Sequence, residues 1–214
     1  MTMDEAIAWI QRQLGFRRAL ATEIQGALQQ AIIRIELDAT LSRPRFLVQE
    51  YSDGAFVTTA GTRTVAIPTG FLQEAELDGG LYIYDSTADD PYIELTKAEP
   101  AYVRGAFTES EQPTHYGIQG ANLIFGGIPD AAYDLRWFAY FKDNSAITGG
   151  ETNLWLTHRP FLIIGEAGVH IASAARSPSL DYFSQLLKAE RQALEATVVV
   201  DQEADSSASM GGDD

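Results

Sequence analysis

The sequence predicts an α+β protein whose terminal amphipathic helices pack as a helical bundle, with a β-rich insertion between them and a flexible acidic C-terminal tail. Apolar residues repeat at helical spacing near both ends of the chain, and the period becomes strand-like in the middle. The last residues are acidic, small and polar, a composition typical of disorder. The predicted segments are helices in 1–43, the β-rich insertion in 44–142, helices in 153–197, and an extended or disordered tail in 198–214.

The front of the chain predicts two helices. Thr2 and Glu5 have the spacing of a capping box, in which each side chain accepts a hydrogen bond from the other residue's free amide. Apolar residues then recur every three or four positions up to Gly15, a residue that favours a helix end. A second apolar stripe runs from Leu20 to Ile35, about five helical turns.

The back of the chain predicts two more helices, joined at Ser177 and Pro178. The first is apolar on most sides and is expected to open after Thr157, with Pro160 near its first turn. The second is expected to begin at Pro178, because Ser177 can cap it and proline loses no hydrogen bond at the first helical position. Its apolar stripe includes Phe183 and Leu194.

The middle of the chain predicts a series of short strands, the first three of which suggest a small meander. The strand candidates are residues 46–51, 55–59, 63–68, 81–84, 92–95, 115–118, 122–125 and 133–141. Residues 126–130 have the composition and length of a hairpin turn between the last two. Residues 95–110 fit either a loop or a short helix.

Composition narrows the class of protein. The chain has no cysteine, no apolar stretch that would span a bilayer, and an acidic start where a signal peptide would be basic, so we expect a soluble protein made in the cytoplasm. The net charge is -15, with ten acids and two bases in residues 73–111 and five acids and no base in 201–214. Such a surface repels phosphate backbones. It serves solubility, or lets nucleic acid pass without sticking.

Motifs for catalysis or cofactor binding are missing from the sequence, so we expect neither an enzyme nor a cofactor. His115, His158 and His170 are isolated along the chain, and we interpret them as structural residues in preference to metal ligands. An acidic loop offers oxygen ligands for calcium, but we interpret it as a solvated turn in preference to a metal site. That loop contains Asp85, Asp89 and Asp90.

Aromatic side chains are the remaining candidate for ligand binding. Tyr82, Tyr84, Trp137, Tyr140 and Trp155 could stack on a sugar or a base, but at strand spacing such residues usually form a core. An exposed cluster of Trp137, Tyr140 and Tyr82 around a groove would favour a carbohydrate or host-surface binding module. An acid-dependent hydrolase would need two carboxylates facing each other across a cleft.

Several stretches together resemble one known family, the head-to-tail adaptor, or connector, proteins of short-tailed and related tailed phages. The stretches are the front segment 41–47, the aromatic strand 133–141, the Asn-x-Trp-Leu element 153–156, the helix from Pro160, and the last helix through 184–194. The resemblance covers most of the chain. One departure is His158-Arg-Pro-Phe, where the family pattern has an acid after the proline.

The resemblance implies a structural virion protein at the head-tail interface, in the neck or tail. It implies a homo-oligomeric ring, expected to be a dodecamer, that binds the portal protein above and a tail nozzle or tail tube protein below, with no membrane partner. DNA would pass through the lumen without specific binding. In the family the C-terminal segment tends to dock on the portal, which makes Val198, Val199, Val200 and Asp201 the candidate portal contact.

Overall fold

The computed structural model describes residues 1–15, 18–38, 40–41, 43–75, 79–88, 90–143 and 148–209, with only the backbone for Arg18 and for 201–209. The chain divides into two compact units. Met1–Leu47 and Lys142–Asp214 form the first, which we call the helical unit. Val48–Phe141 forms the second, which we call the sheet unit.

The six α-helices of the described chain are α1 (Met3–Gln13), α2 (Ala21–Leu37), α3 (Pro100–Ala106), α4 (Leu154–His158), α5 (Pro160–Ala174) and α6 (Leu180–Ser209). Short 3-10 turns at Arg18–Leu20 and Arg45–Leu47 precede α2 and the first strand. All of these helices except α3 belong to the helical unit.

Helix α1 starts as the sequence predicts, and the capping box is confirmed. The Glu5 amide donates to Thr2 Oγ1 at 3.3 Å, and the Thr2 amide donates to Glu5 Oε2 at 2.8 Å. The next free amides of this end donate to a different segment, Met3 to the Glu151 carbonyl at 2.9 Å and Asp4 to the Gly149 carbonyl at 3.0 Å. The beginning of α1 is therefore fixed to the segment that leads into α4.

Helix α5 forms the centre of the helical unit and packs against α2 on one side and α6 on another. Two glycines on α5 allow α6 to approach closely. A β-carbon on Gly168 would overlap the ring of Phe183, and one on Gly165 would lie 3.0 Å from the Leu187 Cα. The contact between α5 and α6 therefore depends on the absence of side chains at these two positions.

The sheet unit contains one mixed eight-stranded sheet that curls into a half-barrel. Its strands are β1 (Val48–Tyr51), β2 (Thr64–Ala66), β3 (Phe71–Glu74), β4 (Gly80–Tyr84), β5 (Tyr92–Lys97), β6 (His115–Gln119), β7 (Asn122–Gly126) and β8 (Asp134–Phe141). The strand order is β1-β8-β4-β5-β6-β7-β2, and β3 also pairs with β8. Only the β5–β6 pair is parallel among the described strands.

Strand β8 organises the core of this sheet because its residues alternate strictly between two faces. Leu135, Trp137, Ala139 and Phe141 are buried on one face. The Trp137 ring stacks on Phe71 at a centroid distance of 4.4 Å. These residues pack with the buried residues of β4, β5, β6 and β7 into a single apolar cluster.

The predicted fold class is wrong. The described residues do not form a bundle of N- and C-terminal helices that flanks a β insertion; they form the curled eight-stranded half-barrel, with helices mainly at the C-terminal end. The tail prediction also fails, because α6 continues through Val198, Val199 and Val200 to Ser209. The physical reason is that the buried Val198 continues the apolar face of α6 past Thr197, and packing of such a face stabilises a helix more than intrinsic propensity does. Residues 210–214 lie outside the described part.

Strand pairing differs from the prediction at three points. The turn at 126–130 does not close a hairpin, because β7 pairs with β6 and β2 while β8 pairs with β1, β3 and β4. The first strands form no meander, and 55–59 contributes only isolated bridges in place of a strand. Strand β3 was not predicted. Residues 95–110 hold the end of β5 and then α3, which resolves the ambiguity for that segment.

Two helix starts are also displaced. Thr157 lies inside the short helix α4 and does not cap α5, which begins at Pro160 after Arg159. Helix α6 begins at Leu180, two residues after Pro178, although the Ser177 hydroxyl does accept from the Ser179 amide at 3.3 Å.

Candidate functional site

The predicted portal contact lies on α6 as part of a helix. Val198 is buried, with 8% of its surface exposed, whereas Val199 and Val200 are 51% and 62% exposed. Just before them, Thr197 Oγ1 accepts a hydrogen bond from Arg159 at 2.6 Å, which ties α6 to the start of α5. Val198 is thus a packing residue of its own unit, and Val199 and Val200 are the two candidates that face outward. Only the backbone of Asp201 is described.

A second surface lies on the sheet unit, on the face of β8 opposite its buried core. The β-ladder places Phe138, Arg136 and Asp134 of β8 beside β4, and β4 beside β5. This arrangement brings together a set of half-buried and exposed side chains that we call the tyrosine patch. Its members are Glu50, Tyr82, Tyr84, Tyr92, Glu94, Asp134, Arg136 and Phe138.

The rings of the tyrosine patch contact one another mainly edge to face. Tyr82 meets Phe138 at a centroid distance of 5.6 Å and Tyr92 at 5.8 Å, and Tyr84 meets Tyr92 at 5.2 Å. Arg136 lies over the Tyr84 ring at 4.5 Å and 3.8 Å from a Glu50 carboxylate oxygen. The patch therefore already binds one guanidinium by ring stacking and by charge.

Three members of the tyrosine patch, Glu50, Glu94 and Asp134, are exposed acids. Partial burial raises the pKa of the Tyr92 hydroxyl, and the nearby Glu50 raises it further. Burial likewise raises the pKa of the Tyr82 hydroxyl, followed by the effect of Glu94. Both tyrosines stay neutral at physiological pH, and the surface around them is negative.

The aromatic cluster suggested by the sequence is not formed. Trp137 is fully buried on the core face of β8, whereas Tyr82 and Tyr140 belong to the opposite face, since alternate residues of a strand point in opposite directions. Trp155 is buried in the helical unit. The groove on which the carbohydrate-binding interpretation depended is therefore absent at these residues.

The three histidines have separate environments. His115 stacks on Phe107 at 4.3 Å in the sheet unit, and His158 stacks on Phe46 at 4.7 Å in the helical unit. His170 is exposed on α5. Within the described ranges, no three acidic or imidazole side chains are placed to hold a metal ion.

The acidic loop has the hydrogen bonding of an ordinary turn. Asp85 Oδ1 accepts from the Thr87 amide at 2.9 Å and from its hydroxyl at 2.7 Å. These two hydrogen bonds lower the pKa of the Asp85 carboxyl. Asp90 also hydrogen-bonds to a residue two positions away, since its Oδ1 accepts from the Tyr92 amide at 3.4 Å. Asp89 lies outside the described residues.

One polar pocket of about 390 Å³ opens beside the end of β3. Inside it, Glu74 accepts from the Tyr116 hydroxyl at 2.6 Å and pairs with Lys97. Burial raises the pKa of Tyr116, and the hydrogen bond to Glu74 adds to this effect. The three groups satisfy one another, so Glu74 takes part in a stabilising ion pair inside this pocket.

On the helical unit, Glu166 of α5 accepts two guanidinium groups. It lies 3.7 Å from Arg34 of α2 and 3.5 Å from Arg191 of α6, and Arg191 also reaches Asp38 at 3.2 Å. These pairs join three helices and neutralise most of the charge on that face. None of the described helices combines the length and apolar character that a bilayer crossing requires.

With this geometry established, comparison with known proteins identifies the class. The sequence matches the family described as SU10 adaptor protein over residues 1–211. The chain belongs to the SU10 adaptor protein family. This is a phage adaptor family, so the protein has a structural role in the virion, associates with other virion components, and is of a kind that is generally non-enzymatic. No curated protein matches the chain.

Within this SU10 adaptor family member, the Asn-x-Trp-Leu element has a structural function. The Asn153 side chain accepts from the Leu156 amide at 2.8 Å, which caps α4, and donates to the Asp143 carbonyl at 3.2 Å. The Trp155 indole donates to Glu36 on α2 at 3.0 Å. The element therefore connects the chain leaving the sheet to two helices of the helical unit.

Replacing Asn153 with alanine is expected to lower the free energy of unfolding by about 1–2 kcal/mol, because it removes a helix cap and leaves buried groups unpaired. The matched control is Asn153→Ser, which keeps a side-chain oxygen as the cap acceptor and loses the hydrogen bond to the Asp143 carbonyl without adding a charge. Urea denaturation of both variants measures the difference. Equal stability of Asn153→Ala and the unmodified adaptor would contradict the capping role.

Two features were not found by sequence reasoning. Glu36 has an apolar position in the α2 stripe, and its pairing with Trp155, 119 residues away, has no local signal. The stacking of Arg136 on Tyr84 was not predicted either, because it depends on the register of β4 with β8.

Proposed function

We propose that this SU10 adaptor is a head-to-tail adaptor that forms a ring, expected to be a dodecamer, between the portal and the tail nozzle or tail tube. DNA passes through the lumen of the ring without specific binding. The family match over residues 1–211 is the observation that carries the proposal. The net charge of -15 supports it, because an acidic channel repels the phosphate backbone and lets DNA slide.

The C-terminal part of α6 is the proposed portal contact. Val199 and Val200 are exposed apolar residues on a helix that continues to Ser209. Residues 201–214 carry five acids and no base. A basic, partly apolar groove on the portal would stabilise this segment as a docked helix.

Truncation after Val198 is expected to weaken binding to the portal ring at least tenfold and to leave the fold intact. This end point keeps the buried Val198 and removes the exposed valines and the acids. Native mass spectrometry of the adaptor with the purified portal ring of the same phage gives the stoichiometry, and circular dichroism checks the fold.

Substitutions test the two valines without shortening the chain. The test variant carries Val199→Ser and Val200→Ser, and the matched control is Leu37→Ser, which removes an exposed apolar side chain from α2. We expect the valine pair to weaken portal binding and Leu37→Ser to leave it unchanged. An adaptor that stays monomeric with the portal present, in full-length and truncated forms alike, would reject the ring.

A further inference from the structure

The helical unit presents a small basic corner, which we define as Arg12 and Arg176. Arg12 lies in the last turn of α1, and Arg176 follows the last turn of α5. The two helix ends are held together through the α5–α6 turn, where the Ser179 hydroxyl donates to the Gln13 carbonyl at 2.7 Å. Both arginines are exposed.

The charges of the basic corner are not used inside the chain. Arg34 and Arg191 pair with carboxylates of the helical unit, whereas no described carboxylate forms an ion pair with Arg12 or Arg176. The chain has 30 acids and 15 bases, so unpaired arginines are not explained by a shortage of acids. Their guanidinium groups are available to a partner.

The backbone of Arg176 gives an independent reason to assign a role to its side chain. Its φ is +49°, and it is the one residue other than glycine with a positive φ in the described chain. The Arg176 amide donates to the Ser173 carbonyl at 3.1 Å and the Ser177 amide to the Ala172 carbonyl at 2.9 Å, a Schellman ending in which glycine is the usual residue. An arginine there is less stable than glycine, and such a position points to a function of the side chain.

The tyrosine patch has the complementary chemistry. Residues 48–141 hold 14 acids and 4 bases, whereas residues 1–47 and 142–200 together hold 11 of each. Glu94 and Asp134 are exposed at the patch, and Tyr92 is 36% exposed beside them. Arg136 over Tyr84 at 4.5 Å shows that these rings accept a guanidinium. Tyrosine and arginine also dominate the strongest contacts of protein interfaces.

We propose that the tyrosine patch of one copy binds the basic corner of the next copy, and that this contact closes the ring. The inference rests on the proposed function, because it names the interface that joins neighbouring adaptors. A ring needs two different patches on each copy, one for each neighbour. An acidic aromatic surface on the sheet unit and a basic corner on the helical unit meet that requirement.

The test uses two variants of the full chain. The corner variant carries Arg12→Glu and Arg176→Gly, and the patch variant carries Tyr92→Ala and Glu94→Lys. Each variant retains one intact surface and lacks the other. Because a ring needs both, the amount of ring that each variant alone forms on the portal is expected to fall at least tenfold. Mixed in equal amounts, they are expected to form a complex of two chains, because the patch of the corner variant still fits the corner of the patch variant. Native mass spectrometry measures both results.

Arg176→Gly alone separates loss of contact from loss of folding. Glycine relieves the left-handed backbone, so this variant is expected to unfold at a higher temperature than the unmodified adaptor and yet to assemble less well. Normal assembly of this variant and of the corner variant, under conditions where the unmodified adaptor forms rings, would overturn the inference and leave the proposed function standing.

Two other outcomes also reject the contact. An unmodified adaptor that forms no ring with the portal would reject the proposed function and the inference together. A corner variant that assembles normally but loses affinity for a duplex DNA oligonucleotide, measured by fluorescence anisotropy, would assign the arginines to phosphate binding instead.

Discussion

Replacing Gly168 with alanine is expected to destabilise the helical unit by about 2–3 kcal/mol. The new methyl group would overlap the ring of Phe183, which is fully buried between α5 and α6. The ring cannot move without opening the contact between the two helices, because α5 also approaches the α6 backbone at Gly165. Thermal and urea denaturation followed by circular dichroism measure the loss.

The matched control is Gly26→Ala, which changes a glycine in the interior of α2. Nothing lies within 4 Å of the position that its β-carbon would occupy, so the substitution should raise stability by up to about 1 kcal/mol through helix propensity. The pair separates packing from propensity, since both replacements are chemically identical. A Gly168→Ala variant as stable as Gly26→Ala would show that α5 and α6 are not in close contact.

A double variant tests the same contact from its other side. Phe183→Ala alone is expected to cost about 3–5 kcal/mol, because it empties a buried site. In combination with Gly168→Ala the total loss should be smaller than the two single losses added, since the ring that the methyl group strikes is gone. Additive losses would place the two side chains in independent environments.

Helix features in this adaptor were predictable where their signals are local. The capping box of Thr2 and Glu5 involves residues three apart, and the buried stripe of α6 at Phe183 and Leu194 follows from spacing alone. The prediction that α6 ends at Thr197 was wrong, because acidic and small residues are found both in solvated tails and in helices. Composition does not decide between them.

The pairing of the strands in the sheet could not be predicted from the sequence. A turn-like stretch at 126–130 favours a hairpin, yet β8 pairs with β4, whose register joins Tyr84 to Asp134 across 50 positions. Long-range pairing is decided by which strands share a core, and this determines the face on which each aromatic lies. Trp137 and Tyr82 were grouped by sequence, whereas the register of β4 and β8 puts them on opposite faces. The tyrosine patch could therefore not be predicted before the strand pairing was known.

Replacing Glu36 with glutamine is expected to change the pH dependence of stability. Glu36 is fully buried, with one carboxylate oxygen accepting from the Asp143 amide at 2.7 Å and from the Trp155 indole at 3.0 Å, while the other oxygen has no partner. Burial raises the pKa of Glu36 above its ordinary value of 4.5, and the nearby Asp143 carboxylate also raises it. The hydrogen bonds and Lys142 act in the opposite direction.

The direction of the effect follows from linkage. Because the folded chain holds the proton more tightly than the unfolded chain, the stabilising contribution of Glu36 is fully present below pH 4.5 and is lost as the pH rises through its raised folded-state pKa. Each unit of the raised pKa corresponds to about 1.4 kcal/mol. Glutamine keeps an oxygen acceptor and does not titrate, so the variant should gain stability relative to the unmodified adaptor as the pH rises.

Urea denaturation at a series of pH values from 4 upward, followed by the fluorescence of Trp155 and the other tryptophans, measures this difference. Glu23→Gln is the control, because Glu23 is an exposed acid on the same helix. We expect the curves of Glu23→Gln and the unmodified adaptor to run parallel, and the curve of Glu36→Gln to rise above both toward neutral pH. A constant difference at every pH would mean that Glu36 has the same pKa in the folded and unfolded chains. The buried Glu36–Trp155 contact would then stabilise the link between α2 and α4 without a proton.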